Sequence, residues 1–150
     1  MRTLDIDWAD LEIAFRDASG ARSWLDKETG EVVTLVPGFD DEADLRGKLR
    51  AFPDRFAALS PVDKRFTQGV LRTFIEACAG AIRGQLEDAA AGPGGLSRAL
   101  ALLKDDRTAW ARFARHEQQA LMAHIERFLE EQGVKAGSRA PAPDLFEGLA

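Results

Sequence analysis

The sequence predicts a mainly helical α+β fold, one antiparallel β-hairpin packed on a small helical bundle. Three observations carry that expectation. Apolar residues recur at spacings of three and four over most of the chain, the period of a helix with one buried face. Residues 23–36 switch instead to strand formers around a short polar turn. The length, 150 residues, suits one domain that buries a sizeable core without a disulfide or metal. We take residues 1–134 as that single globular domain and 135–150 as a flexible C-terminal tail.

The first helix opens at Asp7, a good N-cap, with Asp10 placed where negative charge meets the positive end of the helix dipole. Trp8, Leu11, Ala14 and Phe15 give residues 8–18 one apolar face, and Ser19-Gly20 stops them. Ser23-Trp24-Leu25-Asp26 and Glu31-Val32-Val33-Thr34-Leu35-Val36 flank Lys27-Glu28-Thr29-Gly30, a hairpin whose Gly supplies positive φ. A two-stranded hairpin is marginal alone, so one face must rest on helices. Trp24 with Val33, or Leu25 with Val32, are the alternatives for that face.

Residues 41–51 form a charged helix with Leu45 and Leu49 apolar, followed by Phe52 and ended by Pro53. Ser60-Pro61-Val62-Asp63 reads as the next start, Ser as N-cap and Pro at the first helical position. Phe66, Val70, Phe74, Cys78 and Ile82 then recur every fourth residue, widened by Leu71 and Ile75, with a bend or break expected near Gly80. Gly92-Pro93-Gly94-Gly95 separates this from a short helix over Leu96 to Lys104. The longest helix runs from about Arg107 to Gln132, closed by Gly133 with Val134 as its apolar partner. Its apolar arc collects Trp110, Phe113, Ala114, Leu121, Ile125 and Phe128, while Arg112, Gln119, Glu126 and Glu130 face solvent.

Composition excludes several classes. Hydrophobic residues at 45% and charged residues at 30% are those of a globular chain, not a disordered or fibrous one. No run approaches the roughly 20 apolar residues of a membrane span, and Met1-Arg2-Thr3-Leu4-Asp5-Ile6-Asp7 lacks the apolar core of a secretory signal. One cysteine, Cys78, on the core stripe of its helix, makes no internal disulfide or metal pair and suits the cytoplasm. A net charge of −5 has the wrong sign for bulk attraction to phosphate.

The candidate polar site is Glu117 with His124, both inside the apolar arc of the long helix. They face the same way but stand about 10 Å apart along the axis, so neither can share a metal with the other unaided. His116-Glu117-Gln118-Gln119-Ala120 begins like a zinc-protease helix, but Ala120 stands where the second histidine must be. We therefore read them as a hydrogen-bonded polar pair in a buried seam or subunit contact. The acidic clusters Asp5, Asp7, Asp10, Glu12 and Asp40, Asp41, Glu42, Asp44 lack calcium-loop spacing and read as solvated faces. The glycines at 92–95 have no following Lys-Ser/Thr and no preceding strand, so they indicate no phosphate loop. Arg107, Arg112, Arg115, His116 and Arg127, with Arg98 and Lys104 before them, give the long helix a basic side interleaved with Asp105, Asp106, Glu126 and Glu130. In the tail, Asp144, Leu145, Phe146 and Leu149 make a candidate docking peptide. Asp144-Leu145-Phe146 is similar to the end of the peptide with which bacterial replication and repair proteins dock the sliding clamp.

Three segments together resemble a bacterial uncharacterised protein family, number 0158 of the UPF series. They are Trp24-Leu25-Asp26-Lys27-Glu28-Thr29-Gly30-Glu31-Val32-Val33, Phe74-Ile75-Glu76, and Phe128-Leu129-Glu130-Glu131-Gln132-Gly133-Val134, in the family's order. Trp110 and Phe113 fit its aromatic pair, and the likeness spans about residues 6–134. The chain departs at Ala99-Leu100-Ala101, where the family has a Phe-Lys-Asp run, and in having no tyrosine. The resemblance implies a small cytoplasmic bacterial protein and brings no activity or site residue.

The expectation is a non-enzymatic cytoplasmic interaction or regulatory module with a protein partner, no cofactor and no resident metal, and no membrane. No nucleophile–base, metal or phosphate constellation is assembled in the sequence. The alternatives are self-association, a nucleic-acid-associated factor acting through the basic helix side or the tail, and a hydrolase using carboxylates and histidine.

Overall fold

The computed structural model describes residues 2–38, 41–138, 140 and 141. Its order is β1 (Arg2–Leu4), α1 (Trp8–Arg16), β2 (Arg22–Asp26), β3 (Val32–Leu35), α2 (Glu42–Ala51), β4 (Phe56–Leu59), α3 (Lys64–Ala77), α4 (Ala81–Ala90), α5 (Gly95–Lys104), α6 (Arg107–Glu131) and β5 (Val134–Ala136). Helices hold more than half of the described residues, so the fold is mainly helical α+β. The chain divides into two compact units. The strand unit comprises Met1–Val62 and Met122–Pro141, and the helical unit contains Asp63–Leu121. α6 gives its residues through Leu121 to the helical unit and the rest to the strand unit.

In the strand unit the expected hairpin is present and carries a third strand. The antiparallel sheet has the order β3-β2-β4, with Trp24 opposite Val33 and Ala58, and Leu25 opposite Val32 and Ala57. Leu25 is fully buried and Trp24 half-buried, which settles the core face in favour of the Leu25 row. Trp24 instead takes the guanidinium of Arg22 over its ring at 5.7 Å. The turn depends on Gly30, whose φ is +82° and whose added Cβ would strike the main-chain carbonyl of Asp5. The Asp7 carboxylate caps α1, accepting from the Asp10 amide at 3.0 Å. Trp8, Leu11, Ala14 and Phe15 are the buried face of that helix, as the spacing predicts. Phe15 meets Phe128 edge to face at 5.4 Å. Each such side chain contributes about 1.5–3 kcal/mol when fully buried.

Four details differ from expectation. β4 is a strand of low β-propensity, Phe56-Ala57-Ala58-Leu59, made by its pairing with β2. β1 and β5, three residues each, pair in parallel, so Lys135 and Ala136 belong to a strand and not to the tail. Ser60 does not cap α3. The Val62 amide donates to the Phe15 carbonyl at 2.8 Å, which holds that stretch extended. Asp63 caps the helix in its place, accepting from the amides of Arg65 and Phe66 at 3.0 and 3.2 Å. Finally, Cys78 is half-buried at the C-cap of α3 and not on a buried stripe, because the expected break near Gly80 ends the helix just before it.

The helical unit closes on Val70, Leu71, Phe74, Ile75, Leu86, Ala99, Leu103 and Phe113. Phe74 and Phe113 meet edge to face at 5.4 Å, and Trp110 stacks on Phe113. The Lys104 ammonium lies over the Trp110 ring at 5.4 Å.

Candidate interaction surfaces

His124 sits half-buried on α6 in the strand unit, its ring edge-on to Phe15 at 5.5 Å. With Phe15, Ala58, Ser60, Arg127, Phe128 and Glu131 it lines a pocket of about 250 Å³. Burial lowers the pKa of the imidazole, the Arg127 charge lowers it further, and Glu131 opposes both. Burial thus favours the neutral ring, which can donate through one nitrogen and accept through the other. None of the described residues of either acidic cluster lines this pocket. Glu117, half-buried one heptad earlier, belongs to the helical unit.

Asp7, Glu12 and Glu42 are engaged locally. Asp7 caps α1, and its charge raises the pKa of the Asp10 carboxyl. Glu12 pairs with Arg16 at 3.1 Å, and Glu42 pairs with Arg46 and accepts from the Gly38 amide at 2.9 Å. Asp41 precedes α2 without a side-chain cap bond, Asp44 stands in its first turn, and Asp5 is exposed. Asp40 lies outside the described residues, as do Asp144, Leu145, Phe146 and Leu149 of the tail. Among the described residues no group of three or more His, Cys, Asp and Glu side chains could hold a metal ion. No helix of the described residues is long and apolar enough to cross a membrane.

The basic side of α6 is divided. Arg107, Arg112 and Arg115 are exposed in the helical unit, and Arg127 is exposed in the strand unit. His116 is turned to structure: its Nε2 lies 2.8 Å from the Thr73 hydroxyl and its ring against Phe74.

Sequence reasoning missed a buried ion pair. Asp26, buried at the end of β2, receives Nε and Nη2 of Arg55 at 2.9 and 2.8 Å, a bidentate fork across 29 residues. That fork, aided by the Glu28 amide and Thr29, holds the Asp26 carboxyl down at about 2 against burial. No local signal marks the pair, because the two residues meet only through the β2–β4 register.

A groove of about 640 Å³ lies in the helical unit between α3 and the α4–α5 turn. Leu71 and Ile75 of α3 and Leu96 of α5 supply apolar wall, with Lys64, Arg72 and Glu76 at the α3 side. Glu87, also on the lining, is engaged by Arg83 at 2.9 Å. The opposite wall is the Gly92-Pro93-Gly94-Gly95 turn, set by Arg98. The Arg98 guanidinium donates to the carbonyls of Ala89, Ala91 and Pro93 at 3.0, 2.5 and 2.7 Å. A cation on the last carbonyls of a helix satisfies acceptors that have no helical partner. Gly95 packs so close to Ala90 that a Cβ would strike its carbonyl. The glycine run is thus a clamped wall, which sequence spacing alone reads only as a break.

No protein-family model, curated protein or solved structure matches this chain. The surfaces therefore rest on their own chemistry. A preformed cleft of several hundred Å³ with an apolar floor and a few charged groups has the form of a binding site. The His124 pocket is smaller than most such sites.

Proposed function

We propose that this chain is a non-enzymatic cytoplasmic interaction module that holds a short segment of a protein partner in the α3 groove. The observation that carries this reading is the clamped wall. Three hydrogen bonds from one guanidinium fix the turn facing Leu71 and Ile75, so the groove is shaped before any ligand arrives. Preorganisation of that kind lowers the ordering cost of binding. The lining joins apolar side chains with Lys64, Arg72 and Glu76, which suits a segment with an apolar anchor and mixed charge.

The test is capture from lysate, read by mass spectrometry, with three baits: the full chain, a version ending at Pro141, and Leu96→Glu with its circular dichroism unchanged. A partner retained by the first two and reduced about tenfold with the third supports the reading. Capture indifferent to Leu96→Glu sinks it. So does a defined turnover that disappears in Glu117→Gln or His124→Gln.

A further inference from the structure

The strand unit carries a groove of about 620 Å³ that shares no residue with the α3 groove. Its lining includes Val134, Lys135 and Ala136, all of β5, and Glu126, Leu129 and Glu130 of α6. Consecutive strand residues point to opposite faces, so a groove that touches three in a row follows the strand's edge. Among the described residues β5 is paired only with β1. Leu4 stands opposite Ala136, and its carbonyl accepts from the Gly137 amide at 2.7 Å. In a parallel ladder alternate residues turn both main-chain groups to the same neighbour. Lys135 and Gly137 therefore face β1, and the N–H and C=O of Val134 and Ala136 face the outer edge.

The floor of this groove is apolar, with Leu129 and Val134 buried and the Trp8 indole fixed by its N–H donating to Ser138 Oγ at 3.2 Å. The α6 wall is acidic. Glu126 and Glu130 are exposed one turn apart, and neither has an ion-pair partner among the described residues. Like charges at that spacing disfavour the helix, so a cationic ligand would relieve a cost already present. Lys135 stands alone against them on the lining.

We propose that this groove docks an extended basic peptide segment of a partner protein, bound as an added strand on β5. An added strand takes its affinity from main-chain hydrogen bonds and its selectivity from alternate side chains. Here one set would meet Leu129 and Val134 and the other would meet the rim at Glu126 and Glu130. The site is independent of the α3 groove, and either reading can fail without the other.

The probe is a short, terminally blocked peptide alternating lysine and valine, titrated into the full chain and followed by amide and indole chemical shifts. The largest shifts are expected at Val134, Ala136 and the Trp8 indole. Replacing lysine by glutamate in the peptide, or Glu126→Gln with Glu130→Gln in the protein, should each weaken binding about tenfold or more. Methylating alternate peptide amides should remove binding, whereas Leu96→Glu should leave it unchanged. Shifts centred elsewhere, or equal binding of the glutamate peptide, overturn the proposal. It is also overturned if ending the chain at Pro141 raises affinity tenfold, since the chain's own tail is then the occupant. Shifts that instead track self-association assign the edge to a second copy.

Discussion

Asp26 and Arg55 tie the chemistry of single residues to stability. The carboxylate is buried at 4% exposure, and the bidentate fork holds its pKa at about 2, below the ordinary 3.8. A depressed folded pKa means that the unfolded chain binds the proton more readily between those values. The stabilisation is therefore full above pH 3.8 and is lost as pH falls toward 2. Asp26→Asn should lower the unfolding free energy by up to about 2 kcal/mol at neutral pH. It should also flatten the stability profile between pH 3.8 and 2, as measured by urea melts. An unchanged acid limb would show that the pair contributes nothing. Neither residue stands out in the sequence, because an Asp before a hairpin turn and an Arg two residues past a Pro are ordinary surface residues until the sheet register joins them.

At the scale of elements, periodicity and capping chemistry carry most of the fold. Buried Trp8, Leu11, Ala14 and Phe15 on α1, and Val70, Leu71, Phe74 and Ile75 on α3, are the stripes that spacing marks. The hairpin is legible because Gly30 needs its positive φ and sits at the end of a polar turn. The start of α3 is different, since Ser60 and Asp63 are both competent caps and lie within one turn. The bond from the Val62 amide to the Phe15 carbonyl excludes the earlier start. Asp63→Ala should accordingly cost about 1 kcal/mol in thermal or chemical unfolding, and Ser60→Ala less than about 0.5 kcal/mol. Equal effects would restore Ser60 as the cap. β4 has no readable alternation and two alanines at its centre, so nothing local announces it. It becomes a strand because β2 offers an edge to pair with.

For the molecule as a whole, the pairing of β1 with β5 brings the two ends of the strand unit together. A chain ending at Val134 loses the Lys135 and Ala136 pairing, the Gly137 amide bond to Leu4 and the Ser138 bond to the Trp8 indole. Such a chain should be less stable than one ending at Pro141 by roughly 2–3 kcal/mol, at about 1 kcal/mol per net hydrogen bond. Matched denaturant midpoints would show that β5 is dispensable. The same long-range pairing explains what could and could not be read in advance. By itself the sequence determined the helix faces, the hairpin, the breaks near Gly80 and at Gly92-Pro93-Gly94-Gly95, and the mainly helical α+β class. Those depend on spacing and on neighbours within a few residues, where the physics is local. Only the tertiary structure decided the third strand, the parallel β1–β5 ladder, the Asp26–Arg55 fork, the packing of His124 against Phe15 and the Arg98 clamp. Each of these depends on groups that chain reversal sets side by side, and contacts of that kind leave no periodic trace in the order of residues.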